Sequence, residues 1–172
     1  MNNLKLDGEK VSDSVNLLVS MLVRYPEIGT LRFESSDSTL NLTFILTTVP
    51  TVEQFYSFKD YLEKSLQSFY YLSAYDNPYL KITMTPYDSI TVIHIARDID
   101  TLSKSEIALM IKILQLHFAD HILADKNEAL IDEELRFQEE VIENMLINIQ
   151  RSRVLNTLIG IRENGRVMVF DK

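Results

Sequence analysis

Apolar and polar residues change their spacing along this chain in a recurring way. Stretches with apolar positions three and four apart, the helical period, give way to paired runs that alternate every second residue, the strand period. The spacing predicts a first helix opening at Ser12 or Asp13, with Val15, Leu18, Val19 and Leu22 on one face, and ending before Pro26. Residues 30–34 and 39–46 then read as a hairpin, with Leu40, Leu42, Phe44 and Leu46 on one side of the second strand and Asn41 and Thr43 on the other. A second helix opens on Pro50 and a capping box from Thr51 to Gln54, and buries Phe55, Phe58, Leu62, Leu66 and Phe69. Residues 80–85 and 90–96 make a second hairpin.

The third round is longer. Ser103 and Glu106 form another capping box, and the helix they open is apolar around most of its circumference, so it should sit centrally between other elements. An unbroken helix over 103–150 would be about 70 Å long, too long for a domain of this size. A break is therefore expected near 125–127, followed by a helix over 128–150. The chain closes with strands over 155–161 and 166–170, joined by Glu163-Asn164-Gly165, where Asn-Gly supplies the positive φ of a type I′ turn.

The first two rounds share landmarks. Pro26 precedes Leu31, Phe33 and the pair Asp37-Ser38, while Pro78 precedes Leu80, Ile82, Met84 and the pair Asp88-Ser89. The expected fold is α+β: an αββ unit repeated three times over 12–48, 51–97 and 103–171. Such a unit cannot bury its own apolar face, so its copies must share a core. The antiparallel hairpins should form one or two sheets, with helices mainly on one face and a helical insertion in the third unit. No Pro/Gly-rich hinge divides residues 1–172, which read as a single domain.

Composition narrows the chemistry. There is no cysteine, hence no disulfide, thiolate nucleophile or cysteine-ligated metal. No apolar stretch is long enough for a membrane span and the N-terminus shows no signal h-region, so the expected setting is cytoplasmic, away from membranes. Four scattered glycines supply no phosphate-cradling loop, and no hydrolase signature surrounds the three histidines. Neither a catalytic residue nor a cofactor is indicated. The net charge of −8 opposes general attraction to nucleic acid, but the charge is uneven. Residues 127–150 hold Arg136 against seven acids, and residues 151–172 then hold five bases against two acids.

Three constellations remain. Leu135, Ile142, Met145 and Ile149 repeat at heptad spacing on the acidic helix, fitting a seam against the domain itself, a second copy or another protein. Arg151, Arg153, Arg162 and Arg166 gather around the last hairpin and suit phosphate recognition. His117, His121 and Asp125 are four apart, and on one helix would share a stripe that a metal could use. His94 alternates with Ile90, Val92 and Ala96 on a strand and reads as structural. Seven tyrosines crowd the second unit, where exposed ones would mark a protein-binding surface.

The leading expectation is a non-catalytic protein-binding or regulatory protein acting through its C-terminal helix and hairpin, with a homodimer among its partners. RNA or another polyanion held by the arginine hairpin is the alternative. A metal-dependent enzyme built on His117 and His121 is the third reading.

Overall fold

The structure, a computed structural model, describes residues 2–75, 78–125, 130–151 and 156–171, with the side chains of 2–12 outside the description. The elements run α1 (Asn2–Arg24), β1 (Ile28–Glu34), β2 (Thr39–Leu46), α2 (Val52–Ser73), β3 (Leu80–Tyr87), β4 (Ile90–Asp98), α3 (Lys104–Phe118), α4 (Asp132–Arg151), β5 (Leu158–Glu163) and β6 (Arg166–Asp171). Short 3-10 turns follow β4 and α3. The fold is thus mixed helix and strand, and all six strands form a single antiparallel sheet in the order β3-β4-β2-β1-β5-β6.

Strand alternation divides the sheet into two faces. Leu31 and Phe33 of β1, Leu40, Leu42, Phe44 and Leu46 of β2, Ile93 and Ile95 of β4 and Leu158 of β5 are buried with apolar residues of all four helices in one core. α1 lies against β1, β5 and β6 and packs on α4, while α2 packs on α3. Arg24 fastens α1 to α4 through an ion pair with Glu139 (2.7 Å). At Gly160 a β-carbon would stand 3.0 Å from Leu22 Cδ1, so the close seating of α1 on β5 uses the missing side chain.

A helix precedes each hairpin, with two before the third, but the hairpins close differently. The pairs Asp37-Ser38 and Asp88-Ser89, alike in sequence, are not alike in backbone. Ser38 has φ +55° at the end of a four-residue turn, whereas Asp88 has φ +49° at the start of a two-residue one. Asn164 (φ +51°) and Gly165 (φ +75°) form the type I′ turn anticipated from their sequence.

Two boundaries depart from expectation. α1 begins some ten residues before Ser12, because a serine or aspartate that can cap a helix can also lie within one. α3 ends at Phe118, short of the expected break. Ala119 turns the chain at φ +34°, and residues 121–123 then pair with the end of β2. Thr47 N–H donates to His121 O (2.8 Å) and Leu123 N–H to Ile45 O (2.8 Å), partners for backbone groups that β1 is too short to reach. The described residues of 103–150 therefore hold two α-helices, α3 and α4.

Candidate functional site

The face of the sheet turned away from the core is free of helices among the described residues. Register assembles it row by row. Thr83, His94, Thr43, Thr30 and Ile161 stand side by side across β3, β4, β2, β1 and β5, and Met168 of β6 completes the row. The next row is Lys81, Ala96, Asn41, Arg32, Ile159 and Phe170. An open hollow of about 600 Å³ lies over this face, bordered by Thr30, Arg32, Asn41, Thr43, Lys81 and His94.

The face is two-toned. From β3 to β1 it presents hydrogen-bonding and charged groups, and along β5 and β6 it presents Ile159, Ile161, Met168 and Phe170. Some of the polar groups are already held. Thr30 Oγ1 and Thr43 Oγ1 lie 2.5 Å apart, and Arg32 pairs with Glu34 (2.9 Å), whose other oxygen accepts from the Thr157 hydroxyl (3.0 Å). Asp37 accepts from the backbone N–H and the hydroxyl of Thr39. Cations, carboxylates and amides therefore share the surface.

A buried ionic network supports one border of the hollow. Alternation puts Arg97 on the core face of β4, where its side chain is fully buried, as is that of Glu106 on α3. Arg97 Nε and Nη2 donate to the two oxygens of Glu106 (2.5 and 2.8 Å). Nη1 donates to Tyr79 O (2.8 Å) and to Asp98, and Nη2 also reaches Thr101. All five guanidinium donors are thus placed to be used, a geometry lysine could not copy. Tyr70 completes the network, with its ring 4.9 Å from the guanidinium carbon and its hydroxyl donating to Glu106 (3.2 Å). Burial pushes the Glu106 carboxyl above its ordinary range, and the Arg97 bonds offset only part of this. Arg97 keeps its charge because a guanidinium does not lose its proton in a protein. Asp98 in turn accepts from Tyr79 N–H (2.7 Å), so the network fixes the strand entry from which Tyr79 and Lys81 reach the hollow.

The sequence-predicted residues are dispersed. Directly opposed strand residues share a face, so Arg166, opposite Glu163, lies on the open face and Arg162, opposite Val167, on the helix side. The Arg162 guanidinium donates to the carbonyls of Leu22 (2.5 Å), Ile28 (3.3 Å) and Tyr25 (3.4 Å), closing the C-terminus of α1. Burial lowers its pKa, with Asp125 and Glu27 acting the other way. Arg151 is exposed at the end of α4, and Arg153 lies outside the described residues. The hairpin therefore sets Arg162 and Arg166 on opposite faces.

Ile142 and Ile149 are buried in the chain's own core, Met145 packs against that core and Leu135 is half-buried. His117 is in the last turn of α3, His121 in the 3-10 turn after it and Asp125 beyond, so they do not share a helical stripe. His117 Nδ1 lies 3.0 Å from Ile113 O, and its ring meets Phe58 and Tyr61 edge-on. Both histidines border a cleft of about 510 Å³ with Glu53, Gln54 and Ser57. Among the described residues no group of three or more histidine, aspartate and glutamate side chains is placed to hold a metal ion.

Sequence reasoning passed over Arg97, Glu106 and the open face. A signal existed for the first: alternation through Ile93 and Ile95 carries Arg97 onto an apolar face, which demands a counter-charge. Glu106 read as half of a capping box. Ser103 does accept from Glu106 N–H (3.2 Å), but the carboxylate goes to Arg97. Comparison with known proteins finds no match, whether to family models, curated proteins or solved structures.

Proposed function

We propose that this chain is a non-catalytic protein that binds another protein, and that the partner lies across the helix-free face of the sheet. The observation carrying this reading is the two-toned make-up of that face, an apolar strip on β5 and β6 beside a hydrogen-bonding hollow on the other strands. Apolar ground bordered by polar groups is the ordinary composition of a protein interface. The occupant is an amphipathic segment of a different polypeptide, apolar toward Ile159, Ile161, Met168 and Phe170 and hydrogen-bonding toward Asn41, Lys81 and His94. The charge pattern favours this over a polyanion: Arg32 is paired with Glu34, and Asp37 shares the surface. In this reading the setting is the cytoplasm, and the helix-and-hairpin succession is an αββ repeat whose third copy carries the apolar strip.

The test places a photo-crosslinking residue at Thr43, at Ile161 and, as a control, at Leu72, which is 83% exposed on α2. The expected result is one polypeptide adduct at Thr43 and Ile161 and none at Leu72. Affinity for that partner, once purified, should fall roughly tenfold or more in Ile161→Asp and Lys81→Ala. An adduct that is nucleic acid, or an affinity untouched by both variants, overturns the reading.

A further inference from the structure

The two edges of the sheet are unlike. β3 carries Pro86, which cannot donate to a further strand, and Lys81, which sets a charge beside the edge; both are devices that discourage pairing. β6, reading Arg166-Val167-Met168-Val169-Phe170-Asp171, has no proline, and its charges stand only at its two ends. Among the described residues it pairs with β5 alone. A two-residue turn closes on a hydrogen-bonded pair, here Glu163 with Arg166, and the ladder alternates from there. The N–H and C=O groups of Val167, Val169 and Asp171 therefore point away from β5. No described group bonds to them.

We propose that β6 pairs antiparallel with β6 of a second copy, about a two-fold axis perpendicular to the sheet. Such an axis keeps the helix face on one side in both copies, so only residues of the same face can stand opposite one another. The outward ladder groups fit registers that differ by two residues, and side-chain pairing selects among them. Val167 opposes Val169 in hydrogen-bonded pairs, and Met168 opposes itself on the axis in a non-hydrogen-bonded pair. Arg166 opposes Phe170, a cation over a ring. A shift by two residues would set Val167 against the Asp171 carboxylate and take the Arg166–Phe170 pair apart. In the chosen register no like charges oppose each other.

One further observation favours a second copy as the occupant. The apolar strip of Ile159, Ile161, Met168 and Phe170 becomes continuous across the junction, joining two open faces into one. The pairing does not depend on what the open face binds and stands even if that face proves empty.

The absence of cysteine makes the test direct. Sedimentation of the wild-type chain over increasing concentration should show the average mass rising from monomer to dimer. Met168→Lys, which sets two ammonium groups on the axis, should remain monomeric with an unchanged far-UV circular dichroism spectrum. Under diamide, Met168→Cys should form a covalent dimer roughly tenfold faster or more than Thr83→Cys on the opposite edge strand, because opposed β-carbons at a non-hydrogen-bonded pair suit a disulfide. If Met168→Lys does not fold, the two cysteine variants decide. A wild-type chain monomeric at every concentration overturns the proposal and leaves the edge to a strand of another protein. Dimerisation of Met168→Lys equal to wild type, or equal crosslinking at Thr83, overturns it in favour of a different interface.

Discussion

Arg97 contributes to stability only in company. Its guanidinium has given up water entirely and is repaid by two bonds to Glu106, with Tyr79, Asp98 and Thr101 taking the remaining donors. Removing one partner leaves the other as an uncompensated buried charge. Arg97→Met should therefore cost about 3–5 kcal/mol, a large part of the stability of an ordinary domain. The double variant Arg97→Met with Glu106→Leu should recover about 1–3 kcal/mol of the summed single costs, because it removes both charges and keeps the volume apolar. Urea unfolding of the three variants checks this, and strictly additive costs would refute the coupling. The same residue shows where sequence reading fails. Arg97 is visible as a charge on an apolar face, but its partner is nine residues away on the next helix, where its spacing from Ser103 suggests a cap.

At the scale of elements, α1 is positioned by the last hairpin. Gly160 lets Leu18 and Leu22 approach β5, and Arg162 then reaches over to the carbonyls of Leu22 in the last turn of α1, of Tyr25 just after it and of Ile28 at the start of β1. A cation there satisfies groups the helix itself cannot and complements the negative end of its dipole. Arg162→Met should lower stability by about 1–3 kcal/mol, the range for hydrogen bonds to a charged group. Arg166→Met, on the other face, should change it by less than about 0.5 kcal/mol in dilute solution. Equal effects in thermal unfolding would contradict this division of roles. Strands, hairpins and turns were readable because their signals are local: period-two alternation in β2 and β4, the Thr51–Gln54 box, and Asn164-Gly165. The end of α3 was not, because it is drawn away by unpaired groups at the tip of β2, far off in sequence. The arginines around the last hairpin looked like one cluster for a related reason. Proximity in sequence is not proximity in space when neighbouring strand residues alternate faces.

The sheet order joins all three hairpins through the first. β2 pairs with β4 and β1 with β5, so one continuous core underlies residues from every part of the chain. Two tyrosines are embedded in it at separate places, Tyr25 after α1 at 3% exposure and Tyr70 near the end of α2 at 7%. Burial raises the pKa of both. For Tyr25 the nearby Arg24 charge opposes the rise, and for Tyr70 the Glu106 carboxylate adds to it. In the unfolded chain each phenol ionises near its ordinary pKa of about 10. Above that pH the unfolded state binds fewer protons than the folded one, so stability falls as pH rises. The contribution is fully present below about pH 10 and is lost as the pH climbs from there toward the raised folded values. The loss is at most about 1.4 kcal/mol per pH unit for each tyrosine, the limit for one proton. Tyr25→Phe and Tyr70→Phe should each flatten the alkaline limb, and the double variant more than either. Tyr70→Phe should also begin from a lower baseline, having lost its hydrogen bond to Glu106. Guanidinium unfolding at a series of pH values above 9, read as slope against pH rather than as stability at one pH, separates the two effects. An alkaline slope unchanged in the double variant would place the loss of stability in other groups and show that these phenols are not held protonated by the core.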